Sequence, residues 1–128
     1  MATLKISELS VGDWVLIDGE PAQALRLTIA GRLIFKGLSG QIYGSLGDDI
    51  FPLPIVPEIL EKNGIHKTYE DDNYAIFRGD GLWAVKYSDG DWELSTPPVC
   101  RVDIKYVHQL QHALRLAGVD KEIVMPNK

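Results

Sequence analysis

Hydrophobic positions recur along most of this chain with the two-residue period of strands, and along one stretch with the period of a helix. That stretch is Ile104 to Gly118, where Val107, Leu110, Leu114 and Ala117 fall at i, i+3, i+7 and i+10 and make one apolar stripe, widened by Tyr106 and Ala113. The spacing predicts a helix over 104–118. Asp103 stands where an N-cap would, and Gly118 where a left-handed residue ends a helix. Lys105, His108, Gln111, His112 and Arg115 fall on the opposite side, which reads as a solvated face.

The rest of the chain reads as short strands. Trp14 to Ile17, the turn Asp18-Gly19-Glu20-Pro21 and the run Gln23 to Ile29 predict a hairpin, with Leu25, Leu27 and Ile29 on the buried face and Ala24, Arg26 and Thr28 on the wet one. Leu33 to Lys36 and Gln41 to Tyr43 continue a lobe over 1–51 that reads as a small SH3-like β-roll. Pro52, Pro54 and Pro57 bar a central strand from the connector. Pro57 suits the first position of a short helix over Glu58 to Lys62 that Asn63-Gly64 stops, so connector and helix span 52–64. Over 65–128 the runs Ile65 to Tyr69, Tyr74 to Arg78, Leu82 to Tyr87 and Trp92 to Ser95 predict an antiparallel meander. Trp83, Val85 and Tyr87 share one face, which Trp92 and Leu94 are expected to meet across the turn. Thr96-Pro97-Pro98 is expected to break the sheet before the long helix, and Asp120 to Met125 to add a last strand. The expected architecture is a single α+β domain over 1–128: SH3-like β-roll, short helix, antiparallel β-meander, and a C-terminal helix packed on the sheet.

Composition narrows the function classes. Hydrophobic residues are 45% and charged residues 24% of 128, the balance of an ordinary globular chain. A formal charge of −5 argues against a nucleic-acid surface built on a general excess of Lys and Arg. The single Cys100 excludes an internal disulfide and fits a reducing compartment. The opening MATLKISELSVGDW carries no apolar run behind a basic flank, and no segment has bilayer length, so a cytoplasmic protein without membrane attachment is expected.

Three stretches carry a resemblance: LSVGDWVLIDGEPAQ, DDIFPLPIVPEILEKNGI and IKYVHQLQHALRLAGVDKEI. In order and spacing they resemble an uncharacterised family of small proteins from gut anaerobic bacteria, associated with phage-like or mobile elements, whose members close on a Tyr-Val-His-x-Leu-Gln helix. Tyr106, Val107, His108, Leu110 and Gln111 match that closing motif, while His112 stands where Asn is usual, Val56 where a capping Thr is usual, and Ile65 where an aromatic follows the Gly. The resemblance implies kinship of fold and an accessory role, with no assigned activity.

The candidate chemistry is sparse. His108 and His112 lie at i and i+4, a spacing that can share a zinc ion, but Gln109 stands where zinc proteases carry Glu, and only His66 or Cys100 is left to complete a ligand set. No metal and no cofactor is expected. Tyr106, His108, Gln109, Gln111 and His112 read instead as polar anchors of the helix or as contacts to a partner. Cys100 follows Pro97-Pro98-Val99 in an apolar context and reads as a small buried hydrophobe rather than a thiol nucleophile. Asp48-Asp49, Glu70-Asp71-Asp72, Asp80, Asp89 and Asp91 lack calcium-loop spacing and read as turns, as does Gly79-Asp80-Gly81. Trp14, Trp83, Trp92, Tyr69, Tyr74 and Tyr87 are expected mainly in the core, the competing reading being an exposed stacking platform. The function expected by elimination is a non-enzymatic protein-interaction or accessory module of a phage-like or mobile element, acting on an unknown protein partner or on itself. A nucleic-acid-binding β-roll using Lys5, Arg26, Arg32 and Lys36 is the alternative, and a small hydrolase the third.

Overall fold

The computed structural model describes residues 4, 8–44, 49–79, 81–96, 99–116, 118–119 and 121–126, the side chains at 96 and 99–101 excepted. The chain divides into two compact units, Met1–Leu53 and Pro54–Lys128.

In the first unit β1 (Trp14–Ile17), β2 (Glu20–Leu27), β3 (Leu33–Gly37), β4 (Ile42–Gly44) and β5 (Phe51–Pro52) form one antiparallel sheet in the order β4-β3-β2-β1-β5. Asp18 and Gly19 join β1 to β2 with φ of 54° and 76°, the geometry a two-residue hairpin loop requires. The prolines behave as their chemistry dictates: Pro52 sits in the two-residue β5, beside β1 at the sheet edge. The core is Val15, Ile17, Ala22, Ala24, Leu33, Phe35, Tyr43 and Ile50. One expectation is overturned here. Ala22 and Ala24 face inward, Ala24 opposite Phe35, while Leu25 and Leu27 are 45% and 60% exposed. The register shifts between Ala24 and Arg26, so the alternation of β2 is broken at Leu25.

In the second unit α1 (Pro57–Lys62) precedes a meander of β6 (His66–Glu70), β7 (Tyr74–Gly79), β8 (Leu82–Tyr87), β9 (Trp92–Thr96) and β10 (Val99–Ile104), which α2 (Val107–Leu116) follows. The sheet order β10-β9-β8-β7-β6 is the chain order reversed, as successive antiparallel hairpins require. Both helices end in the same way. The Ile65 and Val119 N–H groups reach back to the Leu60 and Leu114 carbonyls, those of Gly64 and Gly118 to Glu61 and Arg115, and both glycines are left-handed at φ 79° and 76°. The inner sheet face carries Ala75, Phe77, Leu82, Ala84, Trp92, Leu94 and Ile104, all buried, with Phe77 and Trp92 ring centres 5.5 Å apart. Ile59 and Leu60 of α1, Val107, Leu110 and Leu114 of α2, and Ile123 and Met125 complete this unit's core.

The C-terminal part departs from expectation in four ways. Strand pairing resumes after the prolines, so Ile104 closes β10 and α2 starts at Val107 rather than at 104. Asp103 therefore lies in β10 opposite Glu93 and caps nothing. His108 and Gln111 are buried, each 6% exposed, so the face read as solvated is half taken into the core. Residues 121–126 form no strand; Val124 is held instead by Asn63, whose side chain accepts from its N–H at 2.8 Å and donates to its carbonyl at 2.8 Å. No helix among the described residues is long and apolar enough to cross a membrane.

Candidate functional site

The anchors singled out in the sequence gather at the start of α2. Tyr106 bridges to Pro54, and its carbonyl accepts from the N–H groups of Gln109 and Leu110. Gln109, at the third helical position, accepts from the N–H groups of Lys105 at 2.8 Å and Tyr106 at 3.2 Å, the returning half of a capping box. His108 lies stacked on Tyr106 with ring centres 6.0 Å apart and meets His112 edge-on at 5.8 Å. Gln111 is buried and His112 half-buried. His66 is on β6, its Nδ1 2.6 Å from Glu61 Oε1. Among the described residues no three His, Cys, Asp or Glu side chains converge as a metal site would need. The Cys100 side chain and Lys5 lie outside the described residues. Arg26 and Lys36 are exposed on the outer face of the β2–β3 ribbon, next to Ile34, and Arg32 sits in its turn.

The outer face of the second sheet is where sequence reading missed most. The β8–β9 hairpin pairs Lys86 with Trp92, Val85 with Glu93 and Trp83 with Ser95, so odd-numbered residues share one face and even-numbered the other. Trp92 and Leu94 therefore point into the core, away from Trp83, Val85 and Tyr87. A hairpin loop one residue longer or shorter inverts that parity, which is why hydrophobicity alone misassigns it. Across the strands the register builds three outer rows. One carries His66, Arg78, Trp83 and Ser95; the next Tyr69, Ile76, Val85, Glu93 and Asp103; the last Tyr74 and Tyr87. Trp83 is 45% and Tyr69 47% exposed, so the expectation of mainly core aromatics holds for Trp14 and Trp92 and fails for these.

The rings are organised by neighbours. Tyr69 and Tyr74 lie 5.6 Å apart, Tyr74 and Tyr87 6.5 Å apart edge to face, and the Arg78 guanidinium stands 3.6 Å above the Trp83 ring. Tyr74, Ile76, Trp83, Val85, Tyr87, Glu93 and Ser95 enclose an open groove of about 510 Å³. Its size is that of a site for a small ligand or a few side chains.

Charge is graded along this face. Among the described residues Arg78 and His66 mark one end, whereas the hairpin loops at the Tyr74 and Tyr87 end carry Asp71, Asp72, Asp89 and Asp91, the last 3.9 Å from the Lys105 ammonium, with Glu93 and Asp103 along the β10 side. Asp71 is held by its loop. Its Oδ1 accepts from the N–H groups of Asn73 at 2.8 Å and Tyr74 at 3.0 Å, and its Oδ2 from the Tyr69 hydroxyl at 2.8 Å. These donors keep the Asp71 carboxyl below its ordinary range, the Asn73 N–H first, and the same hydrogen bond raises the Tyr69 phenol. At the start of β6 the Glu61 carboxyl is likewise lowered, chiefly by His66 and then by the Lys67 N–H.

Comparison with known proteins finds no family model, no curated protein and no solved structure that matches this chain.

Proposed function

We propose that this protein is a non-enzymatic interaction module, an accessory protein of the kind its sequence resemblance implies, and that it docks a cationic polypeptide segment on the outer face of its second sheet. The observation that carries this reading is the aromatic cluster of Tyr69, Tyr74, Trp83 and Tyr87 left open on that face and framed by carboxylates. Exposed apolar faces rimmed by charge are the common form of protein contact sites. The acidic rim selects the sign of the partner: Asp71, Asp72 and Asp89 attract lysine and arginine and repel phosphate, as does the overall charge of −5. In the first unit, the short β5 returning beside β1 supports an SH3-like roll. The nucleic-acid reading rests on Arg26, Arg32 and Lys36, on the other unit, and enters the test as its second arm.

The test is selection of random twelve-residue peptides displayed on phage against the purified full chain, in parallel with anisotropy titrations of single-stranded oligonucleotides. Enrichment of Lys- and Arg-bearing peptides, lost on Trp83→Ala and weakened by added salt, supports the reading. Enrichment indifferent to Trp83→Ala, or binding of oligonucleotides alone with loss on Arg26→Ala and Lys36→Ala, overturns it.

A further inference from the structure

The outer face of the second sheet holds opposite charges at its two ends, and each asks for a complement. Arg78 is exposed, with its guanidinium 3.6 Å from the centre of the Trp83 ring. A ring takes the face of a guanidinium and leaves the N–H donors, which lie in its plane, to be satisfied from elsewhere. Among the described residues none accepts a hydrogen bond from Arg78. His66, its neighbour across β6, has its Nδ1 2.6 Å from Glu61 Oε1, and Glu61 Oε2 accepts from the Lys67 N–H at 3.0 Å, so both oxygens of that carboxylate serve β6. At the other end Asp72 and Asp89 stand on the loops beside Tyr74 and Tyr87, whose ring faces attract a cation and whose hydroxyl oxygens can accept from one. Lys86 lines the same hollow but belongs by parity to the opposite face, 5.9 Å from the Trp92 ring centre. Glu93 is already engaged within the fold. Tyr74 and Arg78 are four residues apart on β7, roughly 13 Å, which is also the separation of residues i and i+4 on one face of an extended segment. A segment basic throughout would bring like charge to Arg78, and a neutral one would cover its N–H groups without an acceptor. A carboxylate matches the guanidinium fork with two hydrogen bonds.

We propose that the segment docked on this face carries an aspartate or glutamate side chain that pairs with Arg78, four residues along an extended chain from the lysine or arginine that meets the Tyr74 and Tyr87 end. The proposal rests on the docking reading of this face and adds the polarity of the partner, with Arg78 as the residue that reads it. The residue between the two charges, at i+2, lies over the aliphatic middle of the groove, Ile76 and Val85.

The twelve-residue peptide library is selected in parallel on the full wild-type chain and on Arg78→Glu. Peptides enriched on the wild type are expected to carry an acid four residues from a base, and those enriched on Arg78→Glu a second base in place of the acid. One wild-type peptide is then made with both termini blocked, carrying glutamate or glutamine at the acid position, and titrated by fluorescence anisotropy against the wild type and Arg78→Gln. The glutamine peptide is expected to bind the wild type about tenfold more weakly than the glutamate peptide, and to bind Arg78→Gln as well as the glutamate peptide does. Binding of either peptide to Arg78→Gln also shows that the variant is folded. If the glutamate and glutamine peptides lose equally on Arg78→Gln, complete loss included, Arg78 only holds Trp83 in place and the proposal is overturned. Enrichment of basic peptides with no acid at a fixed spacing, or the same sequences enriched on Arg78→Glu as on the wild type, overturns it too. In each of these cases enrichment that depends on Trp83 leaves the docking reading standing, and absence of any such enrichment removes both.

Discussion

Tyr69 and Asp71 hold one another at the acidic end of the aromatic face, and their titration makes that end pH-dependent. The Asp71 carboxyl is lower in the folded chain than in the unfolded one, so its contribution is complete above about pH 4 and is lost as the pH falls through the folded value. The Tyr69 phenol is raised, so its contribution is complete below about pH 10 and is lost as the pH climbs through its folded value. The β6–β7 turn is therefore expected to be firmest between these limits. The protection of the Asn73 and Tyr74 amides, measured as exchange relative to the intrinsic rate at the same pH, should fall on acidification below about pH 4, and in Asp71→Ala at every pH. A second residue-scale constraint is Gly79, where a β-carbon would overlap the carbonyl oxygen of Gly64, the left-handed residue after α1. Since both partners are backbone, Gly79→Ala is expected to cost about 1–3 kcal/mol in urea unfolding. Neither feature was legible beforehand: Asp71 read as one acid of a turn cluster, and Gly79 as a turn residue with its neighbours.

At the scale of elements, the second sheet has two faces with different duties, and its tryptophans report on them separately. Trp92→Ala removes a buried ring packed on Phe77 and is expected to destabilise by about 3–5 kcal/mol. Trp83→Ala removes a half-exposed ring and is expected to shift the unfolding midpoint far less while abolishing docking. Equal losses of stability would show that the outer face is structural. The residues after α2 are tied down by one side chain. Asn63 is buried, and besides Val124 its amide reaches the Ile59 carbonyl at 2.7 Å. Asn63→Ala leaves those groups without their partner, which should cost about 1–3 kcal/mol and deprotect the Val124 amide in hydrogen exchange. Asn63 was read from sequence only as half of a helix stop. Its second use depends on a contact across 61 positions, beyond the reach of local pattern.

For the whole molecule, the excess of acid sets behaviour in solution and the sign of what binds. With a formal charge of −5 at pH 7 and a pI near 5.1, turbidity at fixed concentration is expected to peak near pH 5, where self-repulsion vanishes. The two compact units each bury their own apolar set. The open aromatic groove belongs to the second, Pro54–Lys128.

The sequence by itself determined the strands with strong alternation, the hairpin turns at Asp18-Gly19 and Ser88 to Asp91, the Pro57 start of α1, and the glycines that end both helices. Those features are local: a proline ring, a missing β-carbon or a two-residue period acts within a few residues wherever the chain goes. The α+β class with a C-terminal helix was legible for the same reason. Tertiary structure decided which face each strand turns inward, because a shift of one residue in pairing exchanges the faces while leaving the hydrophobic pattern unchanged. It buried Ala24 in place of Leu25, put β10 where a helix was expected to begin, and drew His108 and Gln111 under cover. By the same parity it left Trp83 and Tyr87 outside while Trp92 went in. The open aromatic face on which the proposed function rests is thus a product of strand register, which only the folded chain sets.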